Sequence, residues 1–500
     1  MNNRPFIKGQ MVALIATALA SSGAYAQGSS RGGIGVESAS TQPGAAVVPI
    51  NVERTLAITE VATLQNFSLR SVMTQLSSQM QPTADRSLAL RMFQQLWSTA
   101  ASMQPNDSRN TPRCNNPATL AELNGNPYTC NREERFEEFN NDAFSATVSG
   151  YKAIGLFNRF DLAPSNGANC GEYRIIFARN ATNPTFSPRN FIIFEAVLPN
   201  PKPEKGLNGC VRVAEFWRDL TLDNDRNSRI SKLKNFYFAG LPGFAPVVHY
   251  KNYGLNGGQV RTNQFMDASN QWLLREFRID AACAGGACSS FFRPATVKTN
   301  PQKELFTANT TVAQQFQDEF VTQVPKLAVN DLNRFDYTPS NIFNAGDSFS
   351  GPGGPVNVYA APAGAFRVNI QNKLSQIGSN LTPESIVARA QALSCGGCHF
   401  LSNNANLGGQ LTWPSTAFTP GGFEFVHVNE QITVPSNSFN GVIVDGQKFR
   451  TSPSLNNVFL PHRKEIIENF LSITDSLPRC VEGCETFDGM QELVCSEICN

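Results

Sequence analysis

The residues of this chain that could do chemistry most directly lie in the stretch 394–400, which reads SCGGCHF. Two thiols with two residues between them, here Cys395 and Cys398, can add to the two vinyl groups of a haem, and the adjacent His399 can bind its iron. Glycines between the cysteines keep side chains away where backbone and porphyrin would lie close together. The stretch therefore predicts one covalently attached haem c, held by both cysteines with His399 as an iron ligand.

The same residues also fit other chemistry. In an exported protein, Cys395 and Cys398 could form a tight disulfide. In a cytosolic protein the spacing is typical of a thioredoxin-like redox pair or of half a zinc site. We predict haem attachment because the start of the chain indicates export, and haem c is attached outside the cytoplasm.

The first 26 residues have the pattern of an export signal. Arg4 and Lys8 supply positive charge, residues 11–20 form an apolar run, and the sequence AYA at 24–26 is a small-x-small cleavage site. The apolar run is too short to span a bilayer, and no other long apolar stretch follows. We therefore expect cleavage after Ala26 and a periplasmic or secreted protein without a transmembrane segment in the mature chain.

The charge and size of the chain restrict its partners. Its 500 residues carry 41 basic and 40 acidic side chains, a net charge of +1. That balance gives no electrostatic footprint for nucleic acid or for an anionic membrane. The expected partner is a redox protein, and the sequence does not set the oligomeric state.

Twelve cysteines fit an oxidising compartment. If haem takes two of them, ten remain, enough for five disulfides. The simplest pairing joins sequence neighbours, 114 to 130, 170 to 210 and 283 to 288.

The last four cysteines form a second pattern, in which Cys480 and Cys484 precede Cys495 and Cys499 with the same spacing. A spacing of four places both cysteines of a pair on one face of a helix. We predict a helical hairpin over 476–500 that resembles, in spacing alone, the twin Cys-x3-Cys hairpin, with disulfides 480–499 and 484–495. A four-thiolate zinc site is the alternative.

The hydrophobic pattern predicts an α+β fold. After a linker at 27–47, residues 48–342 form a large mixed α+β domain of unknown function. The Gly/Pro-rich segment 343–365 predicts a domain boundary. Residues 366–475 are then predicted to form a small all-α haem domain, before the cysteine-rich hairpin.

The predicted strands are 52–61, 151–157, 173–178, 191–197, 246–249, 259–263, 272–279 and 291–298. The predicted helices are 68–80, 87–103, 211–220, 228–238, 310–324 (ended by Pro325), 366–377, one from 382 into the motif, and one that begins near 461.

A helix that ends at CGGCH, a loop region and a final amphipathic helix resemble the c-type cytochrome fold over residues 370–475, about a fifth of the chain. The resemblance implies electron transfer and a second axial ligand from the loop, most often Met. No Met lies between His399 and the last helix, and Met490 falls in the cysteine hairpin. We therefore predict His462 as the second iron ligand, with His427 as the next candidate and an open or otherwise ligated iron as the third alternative.

Four charged residues, Asp161, Glu172, Arg174 and Glu195, lie in or beside apolar strands. Buried charges must be paired or functional. We predict a structural ion-pair network, and any active site of the large domain is expected among them.

Together these patterns predict an exported monohaem c-type cytochrome-like protein that transfers single electrons, serving a partner or a redox activity of the large domain. A haem-free, disulfide-rich secreted binding or structural protein is the first alternative. The second is a haem-dependent oxidoreductase, in which the large domain acts on a substrate near the haem edge. A multihaem chain is excluded because the attachment motif occurs once.

Overall fold

The structure is a computed structural model, and it describes residues 49–80, 86–97, 121–123, 126–128, 142–145, 150–180, 189–265, 272–284, 287–350, 358–418, 426–436, 438–439, 442–443, 446–475, 480–486 and 493–499. The predicted export signal, the linker at 27–47 and the predicted 114–130 disulfide lie outside these residues.

Ten α-helices and sixteen strands occur in the described residues, which confirms the mixed helix and strand content. The helices are α1 (Val52–Thr55), α2 (Val61–Leu64), α3 (Leu69–Ser78), α4 (Arg86–Gln95), α5 (Val211–Leu222), α6 (Arg226–Phe238), α7 (Thr311–Leu327), α8 (Gly364–Gln376), α9 (Pro383–Leu393) and α10 (Leu460–Asp475). The strands are β1 (Ala57–Ile58), β2 (Ala121–Leu123), β3 (Asn126–Tyr128), β4 (Tyr151–Arg159), β5 (Asn169–Arg179), β6 (Asn190–Pro199), β7 (Gln259–Phe265), β8 (Trp272–Ala284), β9 (Ala287–Ala295), β10 (Asp347–Ser350), β11 (Val428–Pro435), β12 (Ser438–Phe439), β13 (Val442–Ile443), β14 (Gln447–Thr451), β15 (Cys480–Thr486) and β16 (Leu493–Cys499).

An eight-stranded antiparallel sheet organises the molecule. Its strands follow the order β1-β4-β5-β6-β7-β8-β10, and β9 pairs with β8 on the same edge as β10. Strands β5 and β6 are buried along nearly their whole length, which their Ile- and Phe-rich sequences favour. Within the described residues, no helix is both long and apolar enough to cross a bilayer.

Two hydrophobic cores share the chain. The first combines residues between 50 and 297 with residues between 426 and 471, so the last helix packs with the sheet. The second core lies between residues 305 and 413 and is built mainly from α7, α8 and α9. The segment 366–475 is thus divided between the two cores and contains β11 and β14, so a separate small all-α haem domain is not shown.

The predicted boundary at 343–365 contains a strand of the main sheet. Residues 347–350 form β10, which pairs with β8 through Ser348 opposite Leu274. Glycine and proline show where the backbone turns, but they do not show whether the chain returns to a sheet it has already left.

Two predicted disulfides are present, Cys170–Cys210 and Cys283–Cys288. The predicted C-terminal helical hairpin is wrong, because β15 and β16 form an antiparallel pair of strands. Its register nevertheless places position 480 opposite 499 and position 484 opposite 495. A spacing of four residues places two cysteines on one face of a strand as well as on one face of a helix. The spacing alone therefore could not distinguish a strand from a helix.

Three local predictions are also wrong. The predicted strand 52–61 becomes α1, β1 and α2, because Asn51 Oδ1 accepts hydrogen bonds from the amides of Glu53 and Arg54 and starts a helix. Residues 246–249 form no strand. Pro325 does not end α7, which continues to Leu327; the proline lies in its last turn, where few helical hydrogen bonds remain to be lost.

Candidate active site

Helix α9 ends just before the attachment motif, and it begins as its sequence predicts. Thr382 Oγ1 accepts a hydrogen bond from the Ser385 amide, and Pro383 occupies the first turn. In its middle, the fully buried Arg389 donates to four carbonyl oxygens from outside the helix and lies over the Phe335 ring. These contacts fix α9 within the second core.

The turn after α9 is held by its own backbone. Ser394 Oγ donates to the Gln391 carbonyl and accepts from the Gly397 amide. A Cβ atom on Gly397 would lie 1.7 Å from the Gln391 carbonyl oxygen, a distance too short for any side chain at this position. The described structure therefore requires glycine at 397 for the turn itself, a reason that differs from the close porphyrin approach expected from the sequence.

The two motif cysteines lie on the boundary between the cores. Both are thiols in the structure rather than members of a disulfide. Cys395 packs against the first core and Cys398 against the second. The Gly396 amide between them donates to Ser348 Oγ of β10, which ties the motif to the edge of the sheet.

A cavity opens beside these thiols. The main sheet forms one wall, and the segments around α9 and α10 form the others. Three of the four histidines in the chain line it, together with both thiols. The apolar lining residues are Ile154, Phe157, Leu162, Ile176, Phe191, Ile193, Leu274, Leu332, Phe335, Leu393, Trp413, Val426, Val428, Leu455, Phe459 and Ile466. The charged lining residues are Arg159, Asp161, Arg174, Glu195, Arg261 and Arg463.

His399 and His427 lie close together beside the thiols. The His399 ring stacks on Trp272, and its centroid lies 5.0 Å from the centroid of His427. His427 Nε2 is 3.7 Å from Cys398 Sγ, and its Nδ1 is 2.9 Å from Ser452 Oγ. That second contact orients the ring, as outer-shell partners orient histidines that bind metals.

His462 also lines the cavity, at the start of α10 as the sequence predicts. The next residue, Arg463, lies 3.8 Å from Asp161. The structure thus brings together every residue predicted for the haem site: Cys395, Cys398, His399, His427 and His462.

A row of ion pairs crosses the cavity-facing side of the sheet. Arg159 pairs with Asp161, while Arg174 pairs with both Glu172 and Glu195. The network continues beyond the four residues singled out from the sequence, because Glu195 also pairs with Arg261 at 3.1 Å.

Sequence reasoning missed Arg159, which follows a predicted strand, and three members within predicted strands, Arg261, Glu276 and Arg278. Arg261 pairs with Glu276 at 2.9 Å, and Glu276 pairs with Arg278 at 2.7 Å. Arg261, Glu276 and Arg278 alternate with apolar residues in predicted strands. The rule that a charge in an apolar strand must be paired or functional, which singled out Arg174, could therefore have found them.

Two buried carboxylates of this row, Asp161 and Glu195, are held ionised. Burial alone would raise the pKa of Asp161, but Arg159 and Arg463 outweigh it and lower that pKa to about 2. Burial is likewise the largest influence on Glu195, and the neighbouring Arg174 and Arg261 reverse it, so its pKa falls below the ordinary value. Buried carboxylates this close to arginine keep their charge at neutral pH.

The donor set of the cavity fits a haem. Two thiols and His399 lie at one position, further imidazoles face the same space, and most of the wall is apolar. Two buried polar atoms in the lining, Trp413 Nε1 and Asn263 Oδ1, have no hydrogen-bond partner in the described part of the protein. In that same part, no group of three or more His, Cys, Asp or Glu side chains is arranged to hold a bare metal ion.

Comparison of the chain with protein-family models, with curated protein sequences and with solved structures finds no match in any of the three. The function is therefore inferred from the geometry of the site.

Proposed function

We propose that the protein is an exported monohaem protein that binds one haem c covalently through Cys395 and Cys398 and transfers electrons through it. The observation that carries this proposal is the position of the motif. Both thiols and His399 open into one mainly apolar cavity that two further histidines also line.

A haem bound here would supply one-electron redox chemistry, and the chain would tune it. Cys395 and Cys398 would hold the group from opposite sides of the boundary between the cores. His399, stacked on the fully buried Trp272, would be the first axial ligand. The apolar lining would keep water from the iron.

As the second residue that would bind the iron, we favour His427 over His462. The Ser452 hydroxyl holds the His427 ring with Nε2 towards Cys398 and beside His399. Two imidazoles would give a low-spin iron with a lower potential than a His/Met pair, because Met ligation raises the potential.

Mass spectrometry tests haem attachment. Expression with a haem c attachment system should give the peptide containing His399 an added mass of one haem, and the double variant Cys395→Ala/Cys398→Ala should lose it. A folded, exported protein without the adduct would contradict the proposal and support the haem-free, disulfide-rich alternative. N-terminal sequencing of the same sample checks the expected cleavage after Ala26.

Absorption spectra of three histidine variants test the axial ligand. His427→Ala should keep the covalent haem but convert the iron from low spin to high spin. His462→Ala should leave it low spin. His249→Ala is the matched control, because His249 does not line the cavity and stacks on Tyr250. A high-spin His462→Ala protein would instead assign the ligand to that residue.

A coupled redox activity of the large domain is the second candidate function. The observation that favours it is that Asp161 and Glu195 line the same cavity as the motif. Carboxylates and arginines beside a redox centre could bind and orient a substrate that the centre oxidises or reduces. Asp161→Asn in the haem-loaded protein tests it: a candidate substrate that reduces the wild-type haem should reduce the variant more slowly.

A further inference from the structure

The sheet wall of the cavity is divided into an uncharged and a charged half. Ile176 of β5, Ile193 of β6 and Leu274 of β8 line the uncharged half, with β7 lying between β6 and β8. Two residues away on each of these strands, and towards the same end of the sheet, stand Arg174, Glu195 and Glu276. Arg261 of β7 lies opposite both Ile193 and Glu276, so the boundary between the halves crosses the strands obliquely. Side chains on one face of a strand recur every two residues. The change from uncharged to charged residues therefore occurs on one face of the sheet.

The attachment motif is tied to the uncharged half. The Gly396 amide donates to Ser348 Oγ, and Ser348 lies opposite Leu274 in the sheet. A group held by Cys395 and Cys398 would therefore have its attached edge at the uncharged half, with the charged half further along the same wall.

The charged half presents more arginines than carboxylates to the cavity, while Glu172 and Glu276, which do not line it, pair with Arg174 and Arg261. The charged side chains that line the cavity are four arginines and two carboxylates, Asp161 and Glu195. Three of the arginines, Arg159, Arg174 and Arg261, belong to the sheet, and Arg463 reaches the same place from α10. Arginine binds carboxylates through paired, charge-assisted hydrogen bonds, which are strongest where water is excluded.

We propose that the charged half of the sheet wall is a binding site for carboxylate groups, with Arg174, Arg261 and Arg463 as its principal donors. This deepens the proposed function and rests on it for one source of carboxylates, the two propionates of the haem. A small dicarboxylic acid beside the haem is the other source of the same chemistry.

Two porphyrins and one small acid separate these sources. Mesohaem carries ethyl groups in place of vinyl groups, so it binds the full-length mature chain without forming thioethers. We expect it to bind roughly tenfold or more tightly than its dimethyl ester, because the ester lacks both charges. Arg463→Gln should reduce this preference severalfold, and Arg463→Lys should retain most of it. Arg278→Gln is the matched control, since Arg278 belongs to the ion-pair row but does not line the cavity.

Succinate, titrated calorimetrically into the haem-loaded protein and into the haem-free chain, is the second arm. Equal binding of mesohaem and its ester, with succinate binding that Arg463→Gln weakens, would assign the site to a free acid. Equal porphyrin affinities without succinate binding would overturn the carboxylate site and leave haem attachment intact. If neither porphyrin binds but succinate does, haem binding fails while the carboxylate site stands. Neither porphyrin nor succinate binding would refute both.

Discussion

The two cores differ in how they accommodate a buried arginine. In the sheet, Arg261 lies between the carboxylates of Glu195 and Glu276, with one side exposed to the cavity. In the helical core, Arg389 forms no ion pair within the described residues and donates instead to backbone carbonyl oxygens of the segments around α9.

The two arginines therefore have different roles. Arg261 presents a charge to the cavity, whereas Arg389 holds the backbone segments around α9 together. The carboxylates around Arg261 hold its pKa well above the ordinary value against the effect of burial, so the charge persists beside the cavity. Burial without a carboxylate instead lowers the pKa of Arg389 to about 10. The sheet therefore supplies fixed charges to the site, whereas the helical core supplies a rigid support for the motif.

Removing the sheet arginine should have the largest effect. Arg261→Met leaves two buried carboxylates without their shared partner, and breaking a buried ion pair costs about 3–5 kcal/mol of unfolding free energy. Urea denaturation measures the loss. Arg293→Met is the matched control, because Arg293 forms an exposed pair with Asp280 in the same sheet and should lose less than about 1 kcal/mol. Equal losses in the two variants would contradict a buried network.

Removing the helical-core arginine should have the next largest effect. Arg389→Met deprives the carbonyls of Leu327, Val329, Leu407 and Gly408 of their donor. Leaving several buried acceptors unpaired should cost about 2–4 kcal/mol. Thermal or urea unfolding measures it, and Arg389→Lys should recover only part because an ammonium group cannot reach four acceptors in a plane. Full recovery by lysine would show that charge, not the hydrogen-bond geometry, matters here.

The motif between the cores gives a third test. Gly397→Ala places a Cβ against the Gln391 carbonyl and should destabilise the protein by about 1–3 kcal/mol even without haem. At Gly396 the nearest atom to an added Cβ is the Phe349 carbonyl oxygen at 3.0 Å, so alanine there should cost less. Similar stability of both variants in the haem-free chain, with similar losses of attached haem, would restore the porphyrin-based explanation of the glycines.

Much of the site could be predicted because its chemistry is local in sequence. Cys395, Cys398 and His399 lie within five residues of one another and line one cavity, and charges such as Arg174 and Glu195 are conspicuous inside apolar strands. Helix α9 was predicted from its cap at Thr382, and the disulfides 170–210 and 283–288 from neighbour pairing, both of which the structure confirms.

What could not be predicted depends on contacts between distant residues. The return of β10 to the sheet pairs Ser348 with Leu274, and the sequence DSFS of β10 carries no strand pattern that would reveal it. The division of 366–475 between two cores has the same origin, since β11 and α10 pack with a sheet formed more than a hundred residues earlier. The helix at 52–55 is different, because Asn51 is a typical N-cap residue and is therefore a local signal present in the sequence.

Acid pH should distinguish the sheet network from the helical core. The pKa of Asp161 is about 2 in the folded protein, below its ordinary value of 3.8, because Arg159 and Arg463 stabilise its charged form. A carboxyl with a lowered folded pKa stabilises the fold above its unfolded pKa and loses that contribution as pH falls. About 2 kcal/mol of unfolding free energy should therefore disappear between roughly pH 4 and pH 2. The lowered pKa values of Glu195 and Glu276 add to the loss in the same direction.

Urea denaturation between pH 2 and pH 6 measures this dependence. Asp161→Asn cannot titrate at this position, so its stability should be lower at pH 6 and should fall less steeply towards pH 2 than that of the wild type. Arg389→Met is the comparison from the helical core. Because its loss involves neutral carbonyls, its curve should run parallel to the wild-type curve at all these pH values. A parallel curve for Asp161→Asn would show that the sheet carboxylate gains no stability from its arginines, and the contrast between the two cores would fail.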